Sequence, residues 1–279
     1  AEQGDAWAQL FLTLMYAEGF SVPQDYAEAI KWCRLAADQG FAVAQFLLGL
    51  AYDSGDGVPV NDVEAVKWFR LAAEQGHAEA QYNLGIIYDG VFGVPRDYAE
   101  AARWYRLAAD QGDAMAQYNL GVMYADGEGV SKDQKEAVKW YRLAADQGYA
   151  DAQYKLGVKY NYGYGVPEDD KEAVNLFRMA AEQGVSEAQL NLGFMYASGD
   201  GVPKNKKEAA KWFRLAANQG NAMAQGLLSI AYYTGGGLPK DYVLAYMWMN
   251  IAGANGDEPE LLRKVLSGIL SQADVAKGQ

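Results

Sequence analysis

The chain has 279 residues, of which 51% are hydrophobic and 13% aromatic, enough apolar material for a packed core and too much for a disordered chain. Its 24 Lys and Arg stand against 36 Asp and Glu, a net charge of −12 that repels phosphate backbones and argues against nucleic acid as a partner. No run approaches the roughly 18 apolar residues of a membrane span, so no membrane insertion is expected, and with Cys33 as the sole cysteine stability must come from packing rather than an internal disulfide.

Taken in chain order, Ala1-Glu2-Gln3-Gly4 matches Ala73-Glu74-Gln75-Gly76, so residues 1–4 read as the end of a preceding repeat and the parent protein is expected to extend beyond this end. From Gly4 the anchors Gly40, Gly76, Gly112, Gly148, Gly184, Gly220 and Gly256 recur every 36 residues. They divide the chain into seven units, 5–40, 41–76, 77–112, 113–148, 149–184, 185–220 and 221–256. Each unit opens with a first helix, A, on which Ala44, Leu48 and Tyr52 and their counterparts are spaced by four, one helical stripe.

A Gly-rich loop follows, such as Gly55-Asp56-Gly57-Val58-Pro59, whose glycines permit the positive φ that ends a helix while Pro bars its continuation. Asp or Asn two residues later (Asp25, Asn61, Asp97, Asp133, Asp169, Asn205, Asp241) is placed to cap a second helix, B. Helix B reads Glu-Ala-x-Lys-Trp-x-Arg-x-Ala-Ala in most units, with Ala65, Trp68 and Ala72 on one apolar face. Neither helix can bury its face alone, so neighbouring units supply the core, and the Gly49, Gly85, Gly121, Gly157 and Gly193 column lets helices approach closely. The expected fold is all-α, a right-handed α/α superhelix or solenoid of helix-turn-helix units. Pro259 and the amphipathic Leu261, Leu262, Val265, Leu266 and Ile269 extend it with a C-terminal capping helix and tail over 257–279.

The pattern Ala-x-Ala-Gln-x-x-Leu-Gly-x-x-Tyr, then Gly-x-Gly-Val-Pro, then Glu-Ala-x-Lys-Trp-x-Arg-x-Ala-Ala resembles the Sel-1-like repeat, a variant of the tetratricopeptide-like α-solenoids, over nearly the whole chain. The resemblance implies protein–protein recognition, often by bacterial adaptors or by secreted and envelope-associated factors. A protein or peptide is therefore the expected partner, a monomer the expected state, and a soluble periplasmic or secreted protein is favoured over a cytoplasmic one. Departures are local: Ser131 replaces the loop Pro, Leu176 the helix B Trp, and the last unit drifts at Leu244, Asn250 and Gly253. Well-characterised members carry paired cysteines in each repeat, and this chain does not belong to that disulfide-stabilised group.

Recurring columns describe the scaffold, so a ligand is sought on helix A positions that vary between units, those three, seven, eleven and fourteen after each anchor Gly. In related tetratricopeptide solenoids this stripe lines the concave groove. Here it gives partner-binding candidates Glu79, Asn83, Met115, Asn119, Met123, Lys155, Lys159, Glu187, Asn191 and Met195. Asn both donates to and accepts from a peptide backbone, and Met adapts to irregular apolar side chains. With Lys155 and Lys159 as its only cations, the stripe lacks a full clamp for a terminal carboxylate. Trp7, Phe11 and Met15 have their place against a preceding repeat.

Catalysis needs a nucleophile, a base and an orienter, and with one His, one Cys and no recurring Ser the chain is read as non-enzymatic. His77 is a surface helix-start residue, and Cys33 is a buried packing residue in a column of Phe and Tyr. The acidic loops lack the bidentate Glu of a calcium site, and neither metal nor cofactor is expected. Arg34, Arg70, Arg106, Arg142 and Arg178 stand four residues before an acidic residue and are expected to brace helix B as i, i+4 pairs. The alternative function is glycan or cell-wall (peptidoglycan) binding, with or without hydrolysis, with Tyr82, Tyr118 and Tyr154 stacking on sugars.

Overall fold

The computed structural model describes residues 4–91 and 94–256. Within them the chain is all-helical, and the helices pair into the expected units. The A/B pairs are α1 (Ala6–Glu18) with α2 (Tyr26–Asp38), α3 (Ala42–Ser54) with α4 (Asp62–Glu74), α5 (Ala78–Ile86) with α6 (Tyr98–Asp110), and α7 (Ala114–Asp126) with α8 (Gln134–Asp146). Then come α9 (Ala150–Tyr162) with α10 (Asp170–Glu182), α11 (Ser186–Ser198) with α12 (Lys206–Asn218), and α13 (Ala222–Thr234) with α14 (Tyr242–Ala254). The chain divides into two compact units, Ala1–Ala144 and Ala145–Gln279. The capping segment 257–279 lies outside the described residues, as do the first three residues of the 1–4 segment.

The boundary chemistry operates as the residues dictate. Asn61 Oδ1 accepts from the Glu64 N–H and Asp97 Oδ1 from those of Ala99 and Glu100, satisfying donors that a helix start otherwise leaves bare. Helix A ends on a left-handed Gly55 or its counterpart. The third unit differs because its first loop glycine, Gly90, stands at the place of Ser54. Helix α5 stops after Ile86, and a π-turn, Ile87–Val91, breaks at Gly90 with φ 103°. The second loop glycine has a packing role as well: a Cβ on Gly57, whose φ is +74°, would lie 2.4 Å from the Tyr26 carbonyl oxygen of the preceding unit.

The core repeats with the sequence. Helix B alanines such as Ala72 and Ala73 pack on Ala80 and Leu84 of the next helix A, and Trp104 of the next helix B reaches back onto the same cluster. The Gly column permits this: a Cβ on Gly85 would stand 2.4 Å from the Tyr105 ring, and one on Gly193 2.5 Å from the Phe213 ring.

A polar ladder runs through each unit's apolar interior. Gln45 Nε2 donates to the Ala37 carbonyl at 3.1 Å, and Gln45 Oε1 accepts from Gln75 Nε2 at 2.7 Å. Gln81 repeats this with Ala73 and Gln111, and in the second compact unit Gln189 does so with Ala181 and Gln219. Gln45, Gln81 and Gln189 are buried, and each gives a second donor to a helix-end carbonyl that also accepts from the anchor Gly N–H, while its own oxygen is satisfied by the next glutamine.

The helix B arginines correct the expected i, i+4 bracing. Arg34, Arg70, Arg106, Arg178 and Arg214 donate instead to the hydroxyls of Tyr52, Tyr88, Tyr124, Tyr196 and Tyr232, four of them on the following helix A and Tyr88 in the π-turn after α5. A part-buried guanidinium gains more from a fixed hydroxyl in low dielectric than from a mobile carboxylate in water. Ion pairs along helix B instead link residues three apart, as in Glu28–Lys31, Glu100–Arg103 and Glu208–Lys211.

Candidate binding surface

The helix A stripe separates into three rows. Position three is exposed, carrying Glu79, Met115, Asp151 and Glu187. Position seven, with Asn83, Asn119, Lys155 and Asn191, is half-buried. Position eleven turns inward in most units: Met123 and Met195 are 3% and 5% exposed, so their sequence-based assignment to a partner-facing surface is corrected. Geometry explains the difference. At 100° per residue position eleven falls about 20° from the recurring Ala column, inside the packed arc, whereas position three falls about 100° from it.

Each asparagine has a different environment. The Asn83 side chain makes no hydrogen bond to a described residue, while Asn119 bonds the Tyr105 hydroxyl, which Asp89 also contacts. Asn191 Nδ2 donates to the Glu187 carbonyl at 2.8 Å, and its side chain also bonds the Tyr154 hydroxyl. Burial raises the pKa of both tyrosines, so both phenols remain protonated as fixed partners for the amides. The Lys155 and Lys159 ammonium groups lie 5.9 Å from the ring centroids of Tyr154 and Tyr164.

Residues considered for chemistry are engaged in packing. Cys33 is fully buried, its Sγ 3.2 Å from the Ala44 carbonyl oxygen, and burial pushes its thiol up to about 12. His77 is less exposed than a surface helix-start residue: its ring stacks on Phe46 at 4.6 Å, with Nδ1 3.2 Å from Glu79 Oε2. Tyr82, Tyr118 and Tyr154 are half-buried, with ring centroids 6.0, 5.9 and 6.1 Å from those of Tyr105, Tyr141 and Phe177. Among the described residues no group of three or more His, Cys, Asp or Glu is placed to hold a metal ion, and no helix is long and apolar enough to cross a membrane.

Sequence reasoning missed an apolar cavity of about 200 Å³ between α1, α2 and α3, lined by Leu14, Ala17, Ile30, Cys33, Leu47 and Ala51. A second, also about 200 Å³, lies between α11, α12 and α13 and includes Leu227 and Ala231. The available signal was a paired change. Positions seven and eleven read Leu47 and Ala51 or Leu227 and Ala231 at the cavities, against Asn83 and Ile87, Asn119 and Met123, or Asn191 and Met195 elsewhere.

The Sel1 repeat matches residues 8–41, 42–77, 78–113, 114–149, 150–185, 186–221 and 222–257. The chain belongs to the Sel1-repeat family. A Sel1 repeat protein from Oxalobacter formigenes is 37% identical over 95% of this chain and 77% of that one, with a TM-score of 0.76. The uropathogenic Escherichia coli antigen c5321, which has an SLR fold, is 32% identical over 99% of this chain and 75% of that one, with a TM-score of 0.49. No curated protein sequence matches. Sel1-repeat proteins are in general protein–protein interaction scaffolds, and the fold is typically non-catalytic.

Proposed function

We propose that this Sel1-repeat chain is a non-enzymatic adaptor holding a peptide or partner loop on its helix A faces. Glu79, Asn83, Met115, Asn119, Lys155, Lys159, Glu187 and Asn191 are the contact residues. The carrying observation is the division of labour within helix A. Recurring Ala, Gln, Leu and Gly are spent on packing and the glutamine ladder, while positions three and seven, and position eleven where it is Lys159, vary and reach the surface. The Asn83 amide has no partner among the described residues, and Asn119 and Asn191 keep part of their bonding capacity, since a side-chain amide supports up to four hydrogen bonds.

The test presents bacterial lysate and cell-wall fragments separately to immobilised wild type and to N83A/N119A/N191A. The expected result is a polypeptide retained by the wild type and released by a variant whose thermal unfolding shows it remains folded. Equal retention by both proteins would sink the helix A assignment, and retention of polysaccharide alone would favour the glycan alternative.

A further inference from the structure

Position eleven of helix A decides whether the space between neighbouring repeats is open or filled. Between the second and third repeats Ile87 stands there, and the space bounded by Asp53, Asp62, Ala65 and Val66 is closed. Between the first and second repeats that position is Ala51, and the same space, bounded by Ala17, Tyr26, Ala29 and Ile30, opens to about 200 Å³. Ala231 has the same effect in the second compact unit, whereas Met123 and Met195 are buried plugs. The cavity is therefore made by a missing side chain, and the plugs of other repeats show what fills it.

Its floor is apolar and buried at Cys33 and Ala51, while Leu14 and Tyr26, each 45% exposed, leave its mouth open to solvent. Phe11, 64% exposed, precedes Leu14 by three residues on the same helix and extends the apolar surface. An apolar cavity of about 150 Å³ admits benzene, so this one has room for a single leucine- or phenylalanine-sized side chain.

Charge selects the kind of chain that would bring it. In residues 1–144 every Lys and Arg lies on a helix B or in a loop. Helices α1, α3, α5 and α7 carry no cation and bear Glu18, Asp53, Glu79 and Asp126, while Asp56 joins Glu18 at the cavity. An anionic, apolar face is complementary to a cationic, apolar segment and repels an acidic one. The geometry points to this cavity as the seat for one large apolar side chain of a partner segment rich in Lys and Arg, an inference that rests on the helix A reading above.

The test pans a random peptide library displayed on phage against the full chain, then titrates synthetic copies of the recovered peptides by fluorescence anisotropy. Recovered peptides are expected to carry Leu, Ile, Met or Phe beside Lys or Arg. Ala51→Met, which places the plug of Met123 and Met195 in the cavity, is expected to weaken them roughly ten- to a hundredfold. Replacing the peptide's apolar residue by Ala should cause a similar loss with the wild-type chain, a readout independent of how the variant folds. Recovery of acidic peptides, or peptides bound equally by wild type and a folded A51M, overturns the inference. The helix A reading survives that outcome if N83A/N119A/N191A still weakens the peptides, and a library without enriched binders counts against both.

Discussion

At Gly85 an added methyl would stand 2.4 Å from the Tyr105 ring, and at Gly121 2.7 Å from the Tyr141 ring. Gly85→Ala is expected to destabilise the protein by about 1–3 kcal/mol, because the aromatic ring or the backbone must move in a filled interior. Urea denaturation should show a lower midpoint with an unchanged slope. The first and last repeats resolve the same contact differently, replacing both partners. Thr13 faces a helix carrying Cys33, and Ser229 faces one carrying Met249, with Thr13 Oγ1 donating to the Gln9 carbonyl and Ser229 Oγ to the Ala245 carbonyl. The burial of Cys33 was legible in the sequence from the aromatic residues of its column. The reason for a small residue there was not, because it concerns a residue twenty positions away on another helix.

Helix ends were legible because each rests on local chemistry: a capping Asp or Asn, a left-handed Gly, a Pro. Contacts between helices were not. The spacing from Arg70 to Glu74 suits an exposed brace, yet the Tyr88 hydroxyl, eighteen residues on and across a loop, takes the guanidinium. The role of the Gln column was hidden for the same reason, since Gln81 joins Ala73 eight residues earlier to Gln111 thirty residues later. Gln81→Ala would remove one donor from the Ala73 carbonyl, which keeps the Gly76 N–H, and would leave the exposed Gln111 amide to water. Its expected cost is about 1–3 kcal/mol, counting about 0.5–1.5 kcal/mol for each of the two hydrogen bonds lost, and thermal unfolding followed by circular dichroism would measure it. A fall in stability within error of zero would mean that water replaces the glutamine at both ends.

Within each compact unit the helices pack chiefly on their neighbours in sequence, so the stability of each is close to a sum of repeats and the interfaces between them. The repeat itself was legible because it is written seven times, and the exposed row of the candidate site followed from helical angle alone. The boundary of that site was not: position eleven lies at the edge of the packed arc, where Met123 is core and Ala51 is the floor of an opening. An empty space leaves no residue in the sequence to mark it. The glutamine ladder has a further consequence for how such a chain can change. Each rung joins side chains thirty residues apart, and the loss of one residue from either helix between them turns the rest of that helix by about 100° and takes the amide off its acceptor. The ladder therefore works as a reading frame for the helices, which tolerate gain or loss of whole repeats and resist a change of length within a helix. Deleting residues 77–112 is expected to leave a cooperatively unfolding protein of unchanged helicity per residue, whereas deleting Leu71 alone, inside α4 and between Gln45 and Gln75, should weaken and broaden the transition, both read by circular dichroism during a urea titration.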